Sequence, residues 1–251
     1  MLGPVSTALD LPSAGPEPIP LDTAVAAVRG YARGRRPLYF RAPNAQTGRW
    51  VELPAFGYER FDLRPRCAEL LGEPDILTAE GLHGRLDPDA WAAMKSVLDD
   101  VGPLADAASD RAAGRPFSRL PDDEFSVLAE PGTVGALLRQ VRDTADGGSP
   151  QHVAAALHHR QPSLFPLLVR ITRWQLLPHV REGDSGVEAV IHRELRANAD
   201  AFGALQEDLA AHGIELTELR LHDVLLWLSG SLRLTTAVAL GQALQRGSRP
   251  V

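Results

Sequence analysis

The chain has 251 residues, 44% of them hydrophobic and 23% charged, enough for one domain with a substantial core and an ordinary composition for a globular protein. Its formal net charge is −6, which argues against a protein that coats nucleic acid non-specifically and leaves room for a local basic groove. Cys67 is the only cysteine, so an internal disulfide is excluded and a reducing, cytoplasmic setting is expected, and no apolar run approaches the roughly 18 residues of a membrane span, so no membrane contact is expected.

Residues 1–20 contain five prolines among Gly, Ser and Ala and read as a flexible leader. They lack the basic start and unbroken apolar stretch of a signal peptide. Residues 21–251 are predicted to form a single, mainly helical domain. Leu21-Asp22-Thr23 opens a helix with Ala24, Val25, Val28 and Tyr31 on one face, ending near Gly34. Segments 36–42 and 49–53, rich in Tyr, Phe, Trp and Val and joined by Pro43-Asn44-Ala45-Gln46-Thr47-Gly48, predict one β-hairpin over about 36–53. A lone hairpin is marginally stable, so it is expected to pack on helices.

From about residue 62 the pattern is helical. Thr78 and Asp87 are candidate N-caps, and Trp91, Met94, Val97, Leu98, Val101 and Leu104 recur near helical period. Residues 111–124 are polar with two prolines and predict an exposed loop or lid. Another helix is expected within 128–141, broken by Gly147-Gly148-Ser149-Pro150. A long helical run over 184–212 carries Val187, Val190, Ile191, Leu195, Phe202, Leu205 and Leu209 on one side, closed by Gly213. Helix returns over 216–228 and 234–244. Leu225-Leu226-Trp227-Leu228 is apolar on every side and is expected to be buried.

Three clusters are candidate sites. Gly147, Gly148 and Ser149 precede a helix, where free backbone N–H groups and the helix dipole favour an anion. Ser149 is positioned to cap, and Gln151 and His152 would be the first side chains to meet a ligand. A Gly-Gly turn before a helix is common without any ligand. Arg170, Arg173 and Trp174 lie within one turn, with Arg170 and Trp174 at i, i+4 on one face. With His158, His159 and Arg160 ending the preceding helix they would make a basic, aromatic surface for phosphates. The alternative is a solvated helix face. Arg29, Arg33, Arg35, Arg36 and Arg41, beside Tyr31, Tyr39 and Phe40, form the densest basic run. It suits base stacking, or a rim of arginines whose stems cover apolar surface.

Other chemistry is poorly supported. His158 and His159 are adjacent, so both rings cannot face one metal from a regular helix, and neither metal nor cofactor is expected. His192, between Glu188 and Arg196, reads as part of a surface ladder, and Cys67 as a small core residue. Asp223, if buried, needs Arg220 or a backbone group as partner. No nucleophile-elbow or phosphate-loop pattern is present.

Several segments together carry a resemblance over roughly residues 38–230. They are Gly48-Arg49-Trp50, Asp75-Ile76-Leu77-Thr78-Ala79-Glu80, residues 157–166 with Leu157-His158-His159-Arg160, and residues 219–228. They are similar to an uncharacterised actinobacterial family, a domain of unknown function whose members look like distant relatives of the helix-hairpin-helix DNA glycosylases. All basic residues but Lys95 are arginine, which fits GC-rich coding in such organisms more simply than phosphate recognition. The resemblance implies a helix-hairpin-helix core at 146–176. The family pattern is Lys-Arg-Pro-x-Leu-x-Pro followed closely by Tyr-Asp. Here Gln161-Pro162-Ser163-Leu164-Phe165-Pro166 leads to Leu168-Val169, so Val169 stands where the resemblance would place the catalytic aspartate. Gln151 and His152 stand where a lysine nucleophile would be.

Such a glycosylase needs a carboxylate to stabilise a developing cationic sugar. Val169 supplies none, and nothing in the spacing points to Asp184, Glu188 or Asp223 as a substitute. The expected fold is mainly α, with a helix-hairpin-helix glycosylase-like core and one small N-terminal β-hairpin. The expected function is non-catalytic binding of nucleic acid or another phosphate-bearing partner through Gly147, Gly148, Ser149, Arg160, Arg170, Arg173 and Trp174. Two alternatives remain open: a protein–protein scaffold using the apolar helical surface, and an enzyme with an unrecognised site under the 111–124 loop.

Overall fold

The computed structural model describes residues 7–44, 46–66, 71–127, 131–146 and 149–247. Among them are ten α-helices and two antiparallel strand pairs. At 61% helix and 8% strand the protein is mainly α with a small N-terminal hairpin, as expected. No single helix among these residues is long and apolar enough to cross a membrane. Cys67 lies outside the described residues.

The expected flexible leader is corrected over residues 7–20. Strands β1 (Ala8–Leu9) and β2 (Ile19–Pro20) pair, and Leu9 and Leu11 are fully buried. Asp10 N–H donates to Asn198 Oδ1 at 2.7 Å, and Asn198 Nδ2 donates back to the Asp10 carbonyl at 2.8 Å. The Ser13 amide and hydroxyl donate to Glu194 at 2.9 and 2.6 Å. Two leucines supply the burial, and Pro12 sits in the turn that Ala14 N–H closes onto the Leu11 carbonyl at 2.8 Å, so the prolines shape the path instead of preventing order.

Helix α1 (Leu21–Arg33) buries Ala24 through Ala32. It crosses α10 (Leu234–Gly247) through small residues. A Cβ on Gly30 would fall 1.8 Å from the Ala237 carbonyl oxygen, and one on Gly241 1.9 Å from that of Ala26. The two backbones therefore touch, and only glycine fits at both positions.

Strands β3 (Arg35–Phe40) and β4 (Arg49–Pro54) form the predicted hairpin, with Leu38 opposite Val51 and Tyr39 opposite Trp50. It does not pack on helices as expected. All of β3 is exposed and no residue of β4 is buried. The ribbon is rooted by Ala55 N–H to the Gly34 carbonyl at 2.8 Å and by the Arg35–Glu59 ion pair at 2.7 Å. Its apolar residues fall on both faces, so neither face is set apart for burial.

Helices α2 (Glu73–His83) and α3 (Pro88–Ala112) follow. Asp87 caps α3, accepting from Ala90 N–H at 2.8 Å. Thr78 is no cap; it lies inside α2 and its hydroxyl donates to the Pro74 carbonyl. Residues 111–124 are no lid. Phe117 and Leu120 are buried, and buried Glu124 accepts from Arg111 Nε at 2.8 Å and Val134 N–H at 2.7 Å. Helix α4 (Val134–Ala145) starts after residues 128–130, which lie outside the described set. Next come α5 (Pro150–Arg160) and α6 (Arg170–Leu176). The expected run over 184–212 is two helices, α7 (Val187–Ala197) and α8 (Ala199–Ala210), parted at Asn198. Helix α9 (Glu218–Gly230) is capped by Thr217, whose hydroxyl accepts from Arg220 N–H at 3.2 Å. Nine residues of α9 are buried, Leu225, Leu226 and Leu228 among them, so it has almost no solvent face. One hydrophobic cluster runs from Leu9 to Ala237 through Phe117, Ile191, Phe202 and Leu225.

Candidate functional site

Ser149 starts α5 through its carbonyl, which accepts from His152 and Val153 N–H at 2.9 and 3.1 Å. The expected side-chain cap is not made. Gly147 and Gly148 lie outside the described residues. After α5 the chain turns tightly, with Leu164 and Phe165 N–H donating to the Gln161 carbonyl at 3.0 and 3.1 Å. Both side chains are buried. That anchors the connection and delivers Val169 as the N-cap of α6. The Val169 carbonyl accepts from Arg173 N–H and from the Thr172 hydroxyl.

This connection forms one wall of a cleft of about 490 Å³ whose apolar lining includes Val141, Val153, Phe165 and Val169. Helix α6 contributes Arg170, Arg173 and Trp174; α4 contributes Arg142; α7 contributes Glu188. The Arg170 guanidinium lies 4.3 Å from the centre of the Trp174 ring, as the i, i+4 spacing predicts. Trp174 is 58% exposed. Glu188, only 2% exposed, is paired with Arg142. The Nε of Arg142 makes no hydrogen bond and lies 4.0 Å from Asp143. Burial raises the Glu188 carboxyl above its ordinary range, against the pull of Arg142, Arg139 and Arg173. Three arginines thus meet two carboxylates in this cleft, Asp146 at the rim and Glu188 at depth.

No family profile, curated protein or solved structure matches this chain. The chemistry of the cleft is therefore read from its own residues. Arg170, Arg173 and Trp174 converge as expected. Arg160 does not join them; it turns toward Asp75 at 3.7 Å and borders a different hollow with Gln161. His158 and His159, expected on a basic surface, are buried. The ring nitrogens contact carbonyls: His158 Nδ1 that of Phe165 at 2.6 Å, and His159 Nε2 that of Arg64 at 3.0 Å. A carbonyl only accepts, so each of these nitrogens donates. Burial, then the nearby Arg220, push His158 down to about 3, so it stays uncharged. The Arg29 run loses a member too, since Arg29 is buried in α1.

The expected surface ladder of Glu188, His192 and Arg196 is also corrected. Glu188 and His192 are both buried, and His192 Nε2 donates to the Leu120 carbonyl at 2.8 Å. Eight residues of α7 are buried, so Glu188, His192 and Glu194 face neighbours and not water, while Arg196 stays exposed. Arg142 and Glu188 were missed as a pair because they are 46 residues apart in sequence. The available signal was a carboxylate set directly in the apolar run Val187-Glu188-Ala189-Val190-Ile191.

Val169 also borders a cavity of about 100 Å³ with Tyr31, His83, Thr172, Arg220 and Asp223. Arg220 Nε donates to Asp62 at 2.6 Å, and its terminal nitrogen donates to the Tyr31 hydroxyl at 2.7 Å. That hydroxyl donates in turn to Asp62 at 2.7 Å. Asp223 takes the backbone partner of the two foreseen, accepting from Leu167 N–H at 3.0 Å. Its carboxyl is pushed up to about 7, by burial above all, against the pull of His222 and Arg220. Burial, then the neighbouring His152, lower His83 to about 4. Among the described residues no group of three or more His, Cys, Asp or Glu is placed to hold a metal.

Proposed function

We propose that this protein binds a phosphate-bearing partner, nucleic acid, through the cleft between α4, α5, α6 and α7. The supporting observation is that Arg142, Arg170 and Arg173 come together beside exposed Trp174 on a hollow floored by Val141, Val153, Phe165 and Val169, three arginines against the carboxylates of Asp146 and Glu188. Arginine forks suit phosphate oxygens, and an aromatic ring beside them suits a sugar or base. We read the α5–turn–α6 unit as the helix-hairpin-helix element that the resemblance to the actinobacterial family implies. The role is binding rather than glycosidic cleavage. Val169 supplies no carboxylate, Glu188 is held by Arg142, and Asp223 is held by the Leu167 amide. The lone cysteine is in keeping with a cytoplasmic setting.

The test is fluorescence anisotropy with labelled duplex, single-stranded and abasic-site DNA over a range of salt. Binding that weakens with salt and is lost in Arg170→Glu/Arg173→Glu is the expected result. No binding at low salt, where electrostatic attraction is strongest, overturns the proposal.

A further inference from the structure

The β3–β4 ribbon is uncovered on both faces. On one face Tyr39 and Trp50 are cross-strand partners with ring centres 5.4 Å apart in edge contact, 52% and 69% exposed. On the other face Leu38 and Phe40 are 45% and 50% exposed, with Arg36 and Arg49 at the two ends of the patch. Tyr39 is already fixed in place. Gly48 N–H donates to its hydroxyl at 3.0 Å, and its ring lies so close over Gly48 that a Cβ there would come within 2.5 Å.

Charge sets the ribbon apart from the rest of the molecule. Over residues 35–54 the sequence has four arginines, Arg35, Arg36, Arg41 and Arg49, against one carboxylate, Glu52. Elsewhere it has 22 basic and 31 acidic residues. A positive, ring-bearing arm on a negative body fits a polyanion with flat apolar surfaces. A duplex keeps its bases stacked and is read in the groove by hydrogen-bonding side chains, whereas unpaired bases stack on exposed rings. A bilayer fits less well. Arg36 and Arg49 both lie on the Leu38–Phe40 face and Glu52 lies on the Tyr39–Trp50 face, so neither face can insert without taking a charge with it.

We propose that the β3–β4 ribbon is a docking arm for single-stranded nucleic acid. Tyr39 and Trp50 form a stacking platform on one face, Phe40 a second ring on the other, and Arg36 and Arg49 meet the phosphates. These residues are separate from those of the cleft, so the two proposals stand or fall independently.

The experiment uses the full chain. It compares anisotropy of a labelled oligothymidylate of about 12 nucleotides with a duplex of equal length, and adds co-sedimentation with phosphatidylserine-containing vesicles. The single strand is expected to bind more tightly than the duplex. Tyr39→Ala/Trp50→Ala is expected to weaken it roughly tenfold or more. Arg36→Gln/Arg49→Gln should lower the log–log salt slope by roughly 0.7 per arginine. Gly48→Ala, whose Cβ would press on both the Tyr39 ring and the Phe40 carbonyl, shifts the platform without deleting a ring and should weaken binding as well. Unchanged melting temperatures will show that the exposed rings were removed without unfolding the protein.

The inference is overturned if the strand does not bind at low salt, if the ribbon variants bind it like the parent, or if those variants lose duplex as much as strand. Vesicle binding without strand binding also overturns it. Loss of binding in Arg170→Glu/Arg173→Glu but not in the ribbon variants supports the cleft and rejects the arm; the reverse pattern supports the arm and rejects the cleft.

Discussion

Asp223 and His83 border the same small cavity, and burial moves their titration in opposite directions. Asp223 has its carboxyl at about 7, above the value of about 3.9 in an unfolded chain. The fold therefore prefers it protonated, and its contribution to stability is present at acid pH and lost as pH rises through about 7. His83 is depressed to about 4, below the value of about 6.5 when unfolded. Its contribution is full above the unfolded value and is lost as pH falls toward about 4. Two variants separate these branches. Asp223→Asn keeps an oxygen for the Leu167 amide and removes the buried charge, so its melting temperature should exceed the parent's at pH 8 and lose that advantage in acid. His83→Phe keeps a ring against His152 and removes the titration, so its melting temperature should fall less steeply below pH 6. The His83 shift is worth on the order of 3 kcal/mol at the acid end. Parallel melting curves for parent and both variants across this range would refute the assignment.

At the scale of elements, the α1–α10 crossing is the most exacting contact. Helix association through small residues brings backbones within van der Waals reach, and a single methyl has nowhere to go when the obstacle is a carbonyl oxygen. Gly241→Ala should destabilise by about 2 kcal/mol or more, read as a drop of several degrees in melting temperature. Gly203→Ala is the control. A Cβ at Gly203 meets nothing within 4 Å, so alanine there should be neutral or stabilising through helix propensity. Equal effects at the two sites would mean that the crossing is looser than described. Both α1 and α10 were expected from apolar periodicity, but Gly30 and Gly241 gave no warning of contact. Glycine inside a helix reads in sequence only as a propensity penalty until its neighbour is known.

Across the whole molecule, the two ends of the N-terminal region behave in opposite ways. Residues 7–20 read as disorder from their prolines, yet Leu9 and Leu11 are buried and Ser13 and Asp10 bond to α7 and to Asn198. The β3–β4 hairpin was expected to pack on helices because a lone hairpin is marginally stable, yet it is exposed. Trimming the chain to begin at Pro16 should therefore cost roughly 3–5 kcal/mol, the burial of two leucines. Replacing residues 36–53 by a short turn between the register partners Arg35 and Pro54 should change stability by less than about 1 kcal/mol. Chemical denaturation of the two shortened proteins decides it, and a large loss on excising the ribbon would show that the hairpin packs after all.

What the chain disclosed alone was local. Periodic apolar residues marked most of the helices, Asp87 marked the start of α3, Gly213 the end of α8, and the aromatic hairpin was found within a residue or two. These features depend on neighbours three or four positions away, or on one tight turn, and sequence spacing records such distances directly. The site was only half legible for the same reason. Arg170 and Trp174 share a helical turn and were expected together. Arg142 with Glu188, Arg220 with Asp62, and Asp223 with Leu167 join residues 46, 158 and 56 positions apart. Whether a polar side chain such as Glu188, His158 or His192 faces water or the interior is decided by what packs on the far side of its helix, and only the tertiary arrangement of α4, α7 and α9 supplies that.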